Sequence, residues 1–209
     1  MCALLAAPIS AAPSFASSLF GFGRPHPQPS LVFAYHGWRI DASHAARFQR
    51  ADKTIGALEA QIDLVEKVRL KPQVLADLRG VPIRAEAGAG RREPARYDTG
   101  VVVVDARTLA PQRPVVLYGL MEAYTDRRLP GGFANPDIDR FRRDAASRNI
   151  WPKTARMLKD NPDFFAATAT AYLYGVLTRE PYTRPDLRKT QPGYYQWLAR
   201  LFDDGRARG

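Results

Sequence analysis

Within the stretch 114–128, Pro-Val-Val-Leu-Tyr-Gly-Leu-Met-Glu-Ala-Tyr-Thr-Asp-Arg-Arg, two side chains could do chemistry: the phenol of Tyr118 and the carboxylate of Glu122. They are four residues apart, so on a helix they stand one above the other on a single face, with Thr125 just beyond. Gly119, beside Tyr118, brings no side chain. Farther along, Asp163 offers a second carboxylate, and Arg156, seven residues before it, a guanidinium. Two carboxylates in one cleft repel and bind a proton, which would suit an acid/base pair. An arginine between them would instead donate charge-assisted hydrogen bonds and cancel part of the charge. Metal chemistry has little to draw on. The histidines are His26, His36 and His44 and the only cysteine is Cys2, with no C-x-x-C or H-x-x-x-H spacing among them. Metal ligands come in spaced clusters, so each histidine reads as a packing or surface residue.

The frame around those positions, Val115-Val116-Leu117, Leu120-Met121 and Ala123-Tyr124, resembles the active-site helix of a gluzincin-like zinc-metallopeptidase family, the bacterial relatives of the catalytic domain of anthrax lethal factor. In that family H-E-x-x-H occupies positions 118 to 122. Zinc takes imidazole or anionic ligands about 2.0–2.3 Å away and keeps a position open for water. Two histidines at i and i+4 supply it from one helix face, and the glutamate between them takes the proton of the metal-bound water. Here the sequence reads Tyr118-Gly119-Leu120-Met121-Glu122. A phenol with an ordinary pKa of about 10 and a glycine are no substitutes, and three changes together read as a lost site.

A second motif carries the same resemblance. Asp163-Phe164-Phe165-Ala166 is similar to the E-F-F-A motif that supplies the family's third zinc ligand, and Arg156 stands where the family has a tyrosine projecting into the site. The tail from Tyr182-Thr183-Arg184 to Gln191-Pro192-Gly193-Tyr194-Tyr195-Gln196-Trp197-Leu198 is similar to the end of the bacterial members. Over 31–202 the resemblance implies an α+β, zincin-like metallopeptidase fold: an N-terminal mixed sheet with a backing helix and a helical C-terminal half. It implies that Tyr118, Gly119, Glu122, Arg156 and Asp163 face one degenerate cleft without catalytic residues, zinc or any other metal cofactor. The chain then reads as a non-catalytic relative, a binding module for a peptide or protein. Competing readings are a working peptidase with ligands from elsewhere, and a metal-free acid/base pair of Glu122 and Asp163. Position by position, Glu122 could also belong to a solvated helix face, Asp163 to a first turn favoured by the helix dipole, and Arg156 to the surface. Gly119→Glu, one step in restoring the family pattern, is expected to help the helix, since interior glycine costs about 1 kcal/mol relative to alanine.

The elements that must position these residues are legible in the apolar pattern. Val116, Leu117, Leu120, Met121 and Tyr124 recur at three- and four-residue steps, and Pro114 suits a first turn, so 114–128 reads as a core helix. Residues 31–41 alternate and read as a strand ending near 37–41. From 53 to 69, Ile55, Leu58, Ile62, Leu64 and Val65 make the apolar stripe of a helix, leaving Asp63, Glu66 and Lys67 to solvent. Lys71-Pro72 opens a short helix that Gly80 stops, 81–83 reads as a brief strand, and 85–96, with Gly88, Gly90, Arg91, Arg92 and Arg96, as a surface loop. The run 101–104 is apolar on both faces, as an inner strand should be. After a loop at 129–134, Asn135-Pro136 caps a helix to about 147 with Ile138, Phe141 and Ala145 inward. Asn161-Pro162 repeats that start for a buried helix over 163–175, whose Ala166, Ala167, Ala169, Thr170 and Ala171 admit a close neighbour. A cap near 190–192 opens the last helix, to 202.

The 209 residues are 45% hydrophobic and 25% charged, which suits one globular domain with tails, and no apolar run approaches a membrane span. Residues 1–16 carry no charge, and Ser10-Ala11-Ala12 and Ser14-Phe15-Ala16 would serve as small-residue cleavage sites, so the start resembles the back half of a secretory signal peptide. Export to the periplasm or beyond is the expectation, with a division into signal-like segment and Pro-rich linker (1–30), zincin-like domain (31–203) and frayed tail (204–209). Cys2 would leave with the signal, and no disulfide is expected. The balance of 31 Lys and Arg against 21 Asp and Glu, net +10, favours anionic partners. The arginines are scattered, with pairs at 91–92, 127–128 and 142–143, and no nucleic-acid motif accompanies them. An anionic envelope surface is therefore the more economical reading, and nucleic acid is not expected.

Overall fold

His36 and Gly37 both take left-handed backbone, with φ of 47° and 82°. The stretch 31–41 is therefore two strands joined by a tight turn rather than one strand. Paired positive-φ residues match the twist of a hairpin, a signal that His-Gly carries more weakly than Asn-Gly. Strands β1 (Val32–Tyr35) and β2 (Trp38–Asp41) pair antiparallel, Val32 facing Asp41 and Tyr35 facing Trp38. The computed structural model describes residues 31–47, 50–88 and 95–203. The signal-like segment with Cys2, His26 in the linker, Gly90, Arg91, Arg92 and the tail lie outside them.

Strand β2 runs parallel to β3 (Ile83–Glu86), β3 parallel to β5 (Val101–Asp105), and β5 antiparallel to β4 (Ala95–Asp98), giving a mixed sheet in the order β1-β2-β3-β5-β4. The expected loop over 85–96 is shorter at both ends, since Ala85 and Glu86 extend β3, and Ala95 and Arg96 open β4. β5 is inner as expected, with Val102 and Val104 fully buried.

The crossover from β2 to β3 carries α1 (Ala51–Lys67) and α2 (Pro72–Arg79). Glu66, expected to face solvent, accepts hydrogen bonds from Trp38 Nε1 at 2.6 Å and from Arg79 Nε and a terminal guanidinium nitrogen at 3.1 and 2.6 Å. It ties the sheet to both helices. Burial pushes its carboxyl pKa up, but the bonds from Arg79 and Trp38 outweigh that and hold it below the usual range.

The second half is helical: α3 (Val115–Arg128), α4 (Pro136–Ser147), α5 (Asn161–Tyr174), α6 (Arg184–Thr190) and α7 (Pro192–Phe202). In α3, Val116, Leu117, Leu120 and Met121 are fully buried, so it is the expected core helix. Asn135 caps α4 as expected, its side chain accepting from Ile138 N at 3.0 Å. The cap of α5 is Asp160, one residue before the expected Asn161, because a carboxylate there reaches Asp163 N at 2.9 Å. The short α6 went unread in the sequence; Thr183 caps it. The chain is thus α+β, with the sheet and its two crossover helices in the first half and helices alone in the second. No helix among the described residues is long and apolar enough to cross a membrane.

What sets α3 in place is Gln61, on α1. It is 1% exposed, donates to the carbonyls of Ala110 and Arg113 at 2.8 and 2.7 Å, and accepts from Val116 N at 3.1 Å. Gln61→Leu should cost about 2–4 kcal/mol, because it strands two carbonyls and one N–H near the start of α3. Urea unfolding reads this as a lower midpoint at unchanged m; a loss under about 0.5 kcal/mol, the range of ordinary surface changes, would show that Gln61 does not hold α3.

Candidate functional site

Asp163, in the first turn of α5 and 5% exposed, accepts from the Tyr118 hydroxyl at 2.8 Å through one oxygen and from Arg156 Nε at 3.3 Å through the other. Tyr118 comes from the first turn of α3. Arg156 comes from a single 3-10 turn, 156–158, that packs on α5. Three separate segments thus bring together the phenol, the guanidinium and one of the two carboxylates singled out in the sequence, and the arginine replaces repulsion with an ion pair. Glu122 is buried and belongs to no solvated face. Its carboxylate accepts the backbone N–H of Tyr97, in β4, at 2.6 Å.

Tyr118 holds its proton far more firmly than a free tyrosine. Burial contributes most, followed by the negative charges of Asp163 and Glu122 and the hydrogen bond donated to Asp163, with the Arg156 cation opposing. Both carboxylates and the arginine therefore act on one hydroxyl.

Gly119 faces the sheet. A Cβ built there would lie 2.7 Å from Val102 Cγ1 and 3.4 Å from the Ala95 side chain. Val102 is fully buried and β-branched, so its χ1 is restricted and it yields little. The expectation that Gly119→Glu would help the helix is therefore wrong, since the surface that α3 presents at 119 is filled by β5 and β4.

Beside this cluster lies a cavity of about 380 Å3 whose wall includes Tyr118 and Arg156, the start of α3, Thr170 on α5, and the loop 176–180. Asp163 and Glu122 are not among its lining residues. Sequence reading missed Arg113, Thr170 and Arg179 here, and no spacing rule would have joined three such distant segments.

The zinc of the family that the motifs resemble does not fit these donors. Tyr118 keeps its proton, both Asp163 oxygens already accept hydrogen bonds, Arg156 brings a cation, and position 119 has no room for a base. Among the described residues no three His, Cys, Asp or Glu side chains gather as metal ligands.

The solved structure of the Pro-Pro endopeptidase PPEP-2 from Paenibacillus alvei is similar to this chain, with a TM-score of 0.51 and 19% sequence identity over 74% of this chain and 92% of that one. No protein-family model and no curated protein matches the sequence. The likeness shows a shared fold, consistent with a metallopeptidase-like architecture. It does not extend to the relation with lethal factor, which rests on the motifs alone.

Filling position 119 should be harmful despite helix propensity. Overpacking costs about 1–3 kcal/mol against about 1 kcal/mol gained by replacing interior glycine with alanine. Gly119→Ala should therefore lower stability in the natural background and raise it once Val102→Ala has opened the space. Stabilisation by Gly119→Ala alone would contradict the close approach of α3 to β5.

Proposed function

We propose that the chain is a non-catalytic member of the zinc-metallopeptidase family related to the catalytic domain of lethal factor, one that binds rather than cleaves. The observation that carries this is the hydrogen-bonded set Tyr118–Asp163–Arg156, at the positions where the motif resemblance places zinc ligands and a tyrosine. A dication needs lone pairs free toward a common point, and the Asp163 carboxylate is engaged by two donors instead. The metallopeptidase-like fold supports the family part of the reading, and the closed position 119 supports the loss of the general base.

A nucleic-acid role for the net positive charge gains no support from Arg128, Arg142 and Arg143. Arg128 pairs with Asp77 at 3.0 Å, and Arg142 and Arg143 both pair with Asp139. Paired arginines offer less to phosphates than a bare basic stripe would.

Protein purified without chelator should carry far less than one zinc per chain by elemental analysis, and added zinc should leave its melting temperature unchanged. Any ligand held tightly by the native state must raise that temperature by mass action. Stoichiometric zinc that survives dialysis would overturn the reading in favour of a working peptidase.

A further inference from the structure

The cavity beside the cluster has a chemistry of its own. Its volume of about 380 Å3 falls within the range of about 300–1,000 Å3 usual for ligand pockets. Apolar groups from Val115, Met157, Ala167 and Leu177 contribute to its wall, and so do four charged residues, Arg113, Arg156, Arg179 and Glu180. Arg156 is engaged by Asp163, and Glu180 accepts from the Tyr182 hydroxyl at 2.9 Å. Arg113 and Arg179 are exposed and make no salt bridge among the described residues. An excess of cation therefore stands at an apolar hollow. The first turn of α3 adds the positive end of a helix dipole on the same wall.

One polar side chain at the wall is unpaired. Thr170 is fully buried and lines the cavity, yet its Oγ1 has no hydrogen-bond partner in the structure. Buried hydroxyls are rarely left so, because each loses its water without replacement. The walls are also built. Arg184 donates from Nε to the Tyr172 carbonyl at 2.6 Å and from a terminal nitrogen to the Leu173 carbonyl at 3.1 Å, and Leu177 N donates to the Tyr182 carbonyl at 2.5 Å, so the loop bearing Leu177 and Arg179 is fastened to the end of α5. Across the hollow, Tyr174 donates to the Gln112 carbonyl at 3.1 Å.

We propose that this cavity binds the free C-terminus of an apolar peptide, its α-carboxylate held by Arg113 and Arg179 and its last side chain seated against Val115, Met157, Ala167 and Leu177. The proposal rests on the non-catalytic reading, since a bound end must survive beside the cluster. A carboxylate is the matching anion because arginine forks engage its two oxygens together, and an apolar neighbour satisfies the remainder of the wall.

The test is calorimetric titration of the full chain with acetyl-Ala-Ala-Leu bearing a free carboxylate, with its C-terminal amide, and with hexanoate. The free peptide should bind and be recovered intact, and the amide should bind at least about tenfold more weakly, the worth of one charge-assisted hydrogen bond. Arg113→Gln/Arg179→Gln should lose a comparable factor. Ala167→Leu, which fills the hollow, should abolish binding with an unchanged near-UV circular dichroism spectrum. Equal affinity for acid and amide, no binding by about 1 mM, or unchanged affinity in the double arginine variant would overturn the proposal. Hexanoate binding as tightly as the peptide would overturn it in favour of a small free acid. Cleavage of the peptide or a zinc requirement would instead sink the non-catalytic reading, so the two failures are told apart.

Discussion

At position 119 a helix lies so close to a strand that a methyl group has no room. That contact sets Gly119 of α3 on Val102 of β5 and Ala95 of β4, and the rest of the site follows from it. A glycine in the middle of a helix gives up about 1 kcal/mol relative to alanine, so propensity alone argues against it. Sterics argue for it more strongly, because the facing valine is buried and stiff. With α3 seated this deep, Glu122 comes within reach of the Tyr97 amide on β4, and Tyr118 is turned toward α5. Gln61 holds the start of the same helix against α1, so α3 is fixed at its beginning by hydrogen bonds and near its middle by contact.

The electrostatics of the cluster answer the problem that such a seat creates. Two buried carboxylates and a phenol, left to themselves, would repel as the phenol lost its proton. The phenol keeps it and donates to Asp163, and the Arg156 guanidinium supplies a positive charge on the opposite oxygen. Arg156 is partly exposed, so water moderates its attraction to Asp163; its value lies in satisfying a buried acceptor rather than in a large net gain. Glu122 finds its donor in the backbone. Both carboxylates are thus engaged by donors.

What could be read from the residues and what could not divide along local and distant lines. The core helix, the buried inner strand over 101–104 and the Asn135 cap rest on periodicity and neighbours three or four residues away, and these were legible. The site positions were found through two motif frames, and in the fold Asp163 touches Tyr118 and Arg156. The His36-Gly37 turn escaped because histidine is an uncommon occupant of left-handed backbone. The role of Gln61 had a signal that went unused: with Leu58, Ile62 and Val65 it completes the buried face of α1, where a polar residue must find partners. The tightness at Gly119 and the arginines of the cavity had none, since both depend on segments that meet only in the folded chain.

The central proposal is that hydrogen bonds stand where the family that the motifs resemble holds a metal. Zinc-edge anomalous diffraction from crystals soaked in a millimolar zinc salt tests it most directly. The expected map has no anomalous peak within bonding distance, about 2.0–2.3 Å, of Glu122 or Asp163, with the Tyr118 hydroxyl still on Asp163. A peak bonded to both carboxylates, with Tyr118 or Arg156 swung aside to admit it, would contradict the account.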